Sequence, residues 1–151
     1  MWDVKNYRLG FDPWGLALFL VIMLPNFVWS ALPAPNDILR RESVTPLLDS
    51  AAQIFQVIMA AALCAVVNTA RNRPVKRKHL TGLVGFVVLY FAGWAAYYAG
   101  IVNAAVILDL CLAPCGAFAA FALARKNAIA LVPAGAFTVC HLIFALVNFI
   151  L

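Results

Sequence analysis

Asp109, in the run VILDLCLAP, and His141, in FTVCHLIFA, are the titratable side chains with the most apolar surroundings in this sequence. A carboxylate in such a run must be paired, hydrated or protonated. His141 is the expected partner, at a similar depth on the next element. Tyr97, Tyr98, Gln53 and Gln56 are expected to complete a hydrogen-bonded set. Three roles fit an acid so placed: a clasp that locks elements together, a group that holds a ligand, or a proton-coupling acid in transport.

Metal chemistry is a weaker fit. Cys111, Cys115 and Cys140 lie near Asp109 and His141 in sequence. At ~100° per helical residue, however, Cys111 points about 160° away from Asp109. Cys140 and His141 diverge in the same way, and there is no CxxC or HExxH pattern. No metal and no cofactor are expected, and the four cysteines read as buried thiols. Catalysis is not expected either. No serine neighbours the acid or the histidine by sequence, and no phosphate-binding loop is present.

The elements that position these residues are membrane spans. The chain has 151 residues, 66% of them hydrophobic and 11% charged. An average soluble domain carries about 25% charged residues. A soluble fold of this length could not bury that much apolar surface, so the solvent is a bilayer. Spans of roughly 20 apolar residues fall at about 14–32, 46–68, 80–102, 103–124 and 127–151. Pro13 suits the start of the first helix, and Ser43 or Thr45 is the expected cap of the second. The expectation is an all-α integral membrane protein, one domain of five transmembrane helices over 1–151. The first helix is expected to be retained rather than cleaved as a signal peptide, because Pro25 and Asn26 interrupt its apolar run.

Basic residues orient the bundle. Lys5, Arg8, Arg71, Arg73, Lys76, Arg77, Lys78, Arg125 and Lys126 fall on one side, and only Arg40 and Arg41 on the other. The positive-inside rule puts the N-terminus in the cytoplasm and the C-terminus outside. The net charge of +5 is thereby explained without a nucleic-acid partner. The run RNRPVKRKH reads as a topology anchor at lipid headgroups.

With that orientation the polar residues gather in the outer half. Asn26, Gln53, Gln56, Trp94, Tyr97, Asp109 and His141 all lie there, while the inner halves are almost purely apolar. Asp109 is roughly 8 Å below the outer start of its helix. Over this half runs the loop LPAPNDILRRESVTP. Asn36 could cap a short helix there, with Asp37 near its start. The loop is either a plain connector or a lid offering Asp37, Arg40 or Arg41 to a ligand.

The layout, with Trp29-Ser-Ala-Leu-Pro-Ala-Pro in the first loop and Asn148 near the end of the last helix, resembles that of the TspO/translocator family. That resemblance implies a five-helix bundle with an outer-half pocket for porphyrin- or sterol-like ligands, closed by the loop. The family's dense Trp/Pro signature before the second helix is missing from this chain. A further likeness is to substrate-binding subunits of vitamin uptake systems, which usually have one helix more. The expected function is to bind or transport a small amphipathic molecule in a bacterial-type plasma membrane. The alternative is a non-catalytic assembly subunit, alone as a homo-oligomer or with a membrane partner.

Overall fold

A computed structural model of the chain describes residues 6–69 and 77–151. Lys5, Arg71, Arg73 and Lys76, which the topology argument uses, lie outside the described residues. Five helices carry the fold: α1 (Pro13–Ala31), α2 (Pro46–Ala65), α3 (Arg77–Tyr98), α4 (Ala104–Ala124) and α5 (Ala128–Ala145). A wider π turn over Leu146–Ile150 extends α5. The five spans hold 19 to 23 residues with a mean hydropathy of 1.6 to 2.1. At ~1.5 Å per residue each reaches the ~30 Å of a hydrocarbon core. The chain is thus built as a multi-pass membrane protein.

α4 is the centre of the bundle. In α4, 56% of the most apolar window is buried, against 22–28% in the other four. Its inward residues include Ala113, Ala117 and Ala122, and such small residues let neighbouring backbones come close. The outer helices show large apolar side chains to their surroundings, for example Leu20, Leu24 and Phe27 on α1 and Val84 and Val88 on α3. In water these faces would be an aggregation hazard, whereas in lipid they are solvated. Gly15 allows the contact between α1 and α2, because a Cβ there would run into the Leu63 carbonyl oxygen.

Several boundaries differ from the sequence expectation. The second helix stops at Ala65, and Val66–Asn68 becomes a strand, β2. It pairs antiparallel with β1 (Tyr7–Leu9), Tyr7 opposite Asn68 and Leu9 opposite Val66. The fold is therefore five helices plus a short ribbon. β-branched Val66 and Val67 suit a strand, but the pairing partner lies far away in sequence. α3 ends at Tyr98 rather than 102. Gly100 has φ 82°, a left-handed turn open to glycine, and it stops the helix.

The helix caps explain the two ends of the bundle. Asp12 caps α1 by accepting from the Trp14 N–H, and Asn103 caps α4 through the Val106 N–H. Asn127 caps α5 through Ala130 N–H. Its amide also donates to the carbonyls of Ala62 and Val66, at 2.9 and 3.0 Å. Thr45 stands at the cap position of α2 but makes no capping bond. Its hydroxyl accepts instead from Asn148, at 2.8 Å. The "ribbon end" thus gathers β1, β2 and the α4–α5 turn, while the "loop end" gathers residues 32–45, Gly100 and Asn148.

Candidate functional site

A cavity of ≈ 280 Å³ opens inside the loop end. α1 supplies Ile22, Met23, Asn26 and Trp29 to its wall. α2 supplies Asp49, Ala52, Gln53 and Gln56, which follow one another at helical spacing on a single face. α3 adds Tyr90 and Trp94, α4 adds Ile107 to Phe118 on its inward face, and α5 adds Phe137, His141 and Phe144. Leu39, from the loop, completes the lining. Pro114 is part of the wall, and its missing N–H leaves the carbonyl of Leu110, another lining residue, without its helical donor.

Of the residues expected at a site, Asn26, Gln53, Gln56, Trp94 and His141 line this one cavity. Two do not. Tyr97 is fully buried beside the cavity and serves the loop. Asp109 sits on another face of α4, against Gly93 of α3, where a Cβ would collide with its carboxylate. The expected Asp109–His141 hydrogen bond is not formed, and Asp109 makes no hydrogen bond or ion pair among the described residues. The physical reason is rotation. Depth along two helices is readable from sequence, but the direction each side chain faces depends on how the helices are turned against each other. His141 instead stacks on Phe137, with ring centroids 5.0 Å apart, and faces Phe144 at 6.4 Å.

The polar wall is only partly satisfied. Asn26 donates to the Tyr90 hydroxyl at 2.7 Å, tying α1 to α3. Gln56 reaches only the Met23 sulfur, at 3.7 Å, a weak acceptor. Trp94 Nε1 is buried with no hydrogen-bond partner. The Tyr90 hydroxyl is near enough to interact with it, but without the geometry of a hydrogen bond. An indole N–H left unmet in a low-dielectric interior costs about 1–3 kcal/mol. Trp94 is also the hub of an aromatic cluster with Trp29, Tyr90, Tyr97 and Tyr98, at centroid distances of 5.8–6.4 Å.

Sequence reasoning missed Asp49 and Tyr90 as wall residues. Asp49, Gln53 and Gln56 stand at i, i+4 and i+7, one stripe of a helix, and that spacing was the available signal.

Above the cavity the loop is fastened by Asp37. Its carboxylate accepts from Trp29 Nε1 (2.9 and 3.0 Å), the Tyr97 hydroxyl (2.9 Å), Arg40 Nε (2.8 Å) and the Ala34 N–H (3.3 Å). Burial would raise its pKa, but the hydrogen bonds from Trp29, Tyr97, Arg40 and Ala34 outweigh it and hold the carboxyl below its ordinary range. Arg40 lies over the Trp29 ring at 4.8 Å and donates to the Trp29 carbonyl. Leu39 N–H donates to Tyr97, and Tyr98 donates to the Leu32 carbonyl. The short turn expected at Asn36 is present as Ile38–Arg40, but Asn36 does not cap it. The Asn36 amide donates to Gly100 instead. Arg41 is exposed and its side chain makes no polar contact among the described residues. Neither Asp37, Arg40 nor Arg41 lines the cavity, and Asp37 and Arg40 spend their polar atoms on the loop itself.

Among the described residues no group of His, Cys, Asp and Glu is arranged to hold a metal. No protein family, curated protein or solved structure matches this chain.

Proposed function

We propose that this chain binds a small amphipathic molecule in the loop-end cavity, as a membrane receptor or transporter, with the Ile38–Arg40 loop as its cover. One observation carries the reading: a partly open, aromatic-lined cavity whose polar groups, the Gln56 amide and Trp94 Nε1 above all, lack good partners. Ligand sites usually measure ≈ 300–1,000 Å³, so the occupant is at the small end. A TspO-like role is supported by layout alone.

The positive-inside rule supports a topology with the loop end outward and the N-terminus in the cytoplasm, and the proposed setting is a bacterial-type plasma membrane. Arg41→Cys should react with an impermeant maleimide from outside intact cells, and Lys78→Cys only after permeabilisation. The reverse pattern would turn the cavity to the cytoplasm.

Native mass spectrometry of protein extracted in mild detergent tests the binding reading. The expected spectrum contains a retained small molecule, displaced in the Gln53→Leu/Gln56→Leu variant, which keeps the volume of the wall and removes its amides. Repeated absence of any bound species, including after incubation with cell extract, would overturn the reading. The same spectrum addresses a second reading, an assembly subunit, which the unpartnered Asp109 favours. In that reading the unmet carboxylate is satisfied by another chain's donor, and the oligomeric mass would report it.

A further inference from the structure

Resting on the binding reading above, we propose that the ligand is a small organic cation, an amine carrying a hydrogen-bond acceptor, with its ammonium group held by Asp49. Asp49 lies in the first turn of α2 and lines the cavity. Its carboxylate makes no hydrogen bond or ion pair among the described residues. Asp37 and Asp12, by contrast, are both paired with arginines. No Lys or Arg lines the cavity, and His141 is the one other lining side chain able to become cationic. That ring lies against Phe137 and is near enough to Asp49 to feel its charge, but forms no hydrogen bond or ion pair with it. The wall is therefore anionic in balance, and an anionic ligand would meet repulsion there.

The rest of the wall suits the same ligand. Trp29, Tyr90 and Trp94 line the cavity, and aromatic rings of this kind attract cations. The Arg40 guanidinium already lies over Trp29 in this way. Trp94 Nε1, a donor in a residue only 6% exposed, has the Tyr90 hydroxyl nearby but no acceptor at hydrogen-bond geometry. An ether or hydroxyl oxygen on the ligand would supply it. An engineered cavity of ~150 Å³ holds a benzene ring, so ≈ 280 Å³ admits one ring with a short polar arm. An amine, an acceptor oxygen and one ring or its aliphatic equivalent thus match Asp49, Trp94 Nε1 and the aromatic wall.

Three matched probes separate the possibilities: 2-phenoxyethylamine (a cation), 2-phenoxyethanol (its neutral isostere) and phenoxyacetate (its anion). Calorimetry on the full chain in detergent should rank the amine first, about 10-fold or more above the alcohol, with the anion weakest. Asp49→Asn should bring the amine down to the affinity of the alcohol. Trp94→Phe should weaken amine and alcohol alike, because both share the ether oxygen. Equal binding of amine and alcohol to the unaltered protein would overturn the cation assignment while leaving the cavity a binding site. If Asp49→Asn lowers thermal stability but preserves the amine preference, Asp49 serves only the helix N-terminus, and the proposal fails. If none of the three probes binds and no endogenous molecule is retained, the binding reading fails with it.

Discussion

Asp37→Ala is expected to release the loop from the bundle and empty the cavity. The substitution removes five hydrogen bonds from four donors at once. It also leaves the hydroxyl of Tyr97, a fully buried residue, without its acceptor. Bonds to a charged group are worth about 1.5–3 kcal/mol each, and a shared acceptor makes them non-additive. A local loss on the order of 3 kcal/mol follows, enough to raise the open population of the loop about 100-fold. The bundle below should survive, because α4 and its neighbours pack without the loop. Hydrogen exchange should therefore accelerate across 33–45 and stay slow in α4. Uniform acceleration would mean that Asp37 supports the whole fold, and unchanged exchange would mean that the loop's other bonds, made by Leu32, Asn36, Leu39, Arg40 and Val44, hold it without Asp37.

The same residue makes loop closure depend on pH. The Asp37 carboxyl titrates below its ordinary value of 3.8 when the loop is closed. Closure is therefore fully stabilised above that value. It weakens as pH falls below it, through the lower closed-state pKa, because the open loop takes up the proton first. Asp37→Asn should flatten this dependence while keeping part of the hydrogen bonding. Probing residues 33–45 by exchange or proteolysis between pH 5 and 3 reads the effect directly.

How far the sequence reached can be judged from particular residues. All five helices were legible because a spanning segment has to be apolar over its whole length, a signal read one residue at a time. The ribbon was not, because Val66–Asn68 continues an apolar run and becomes a strand only by meeting Tyr7–Leu9. The gathering of Asn26, Gln53, Gln56, Trp94 and His141 followed from depth alone. Asp109 did not follow, since depth says nothing of rotation, and α4 turns its carboxylate toward Gly93. Asp37 was legible as a loop acid but not as the latch, because Tyr97 and Trp29 reach it from separate helices.

The opposite end of the bundle should respond by a similar amount, but across the whole fold rather than in one loop. Asp12 and Arg125 form an ion pair at 2.9 Å, with their side chains 10% and 13% exposed. Asp12 also caps α1, and Arg125 lies over the Phe121 ring at 5.2 Å. Asp12→Ala removes the cap and leaves a buried guanidinium without its carboxylate. Breaking one side of a buried pair costs about 3–5 kcal/mol, and losing a cap about 1 kcal/mol more. Arg125 stands at the end of α4, so swinging its head to water can recover part of that loss. The net expectation is a destabilisation on the order of 3 kcal/mol. Two competing accounts then predict different double variants. If the stranded charge dominates, Asp12→Ala/Arg125→Met should be more stable than Asp12→Ala alone, because the charge is gone and the stem is kept. If the cap dominates, the second substitution should change nothing, and Asp12→Ser, which restores a cap without a charge, should rescue instead. Thermal unfolding in detergent of these three variants and the unaltered chain decides between them. Because this end lies across the bundle from the cavity, binding of 2-phenoxyethylamine by the folded fraction should keep its affinity in all three. A loss of affinity there would show that the ribbon end and the cavity are coupled through α4.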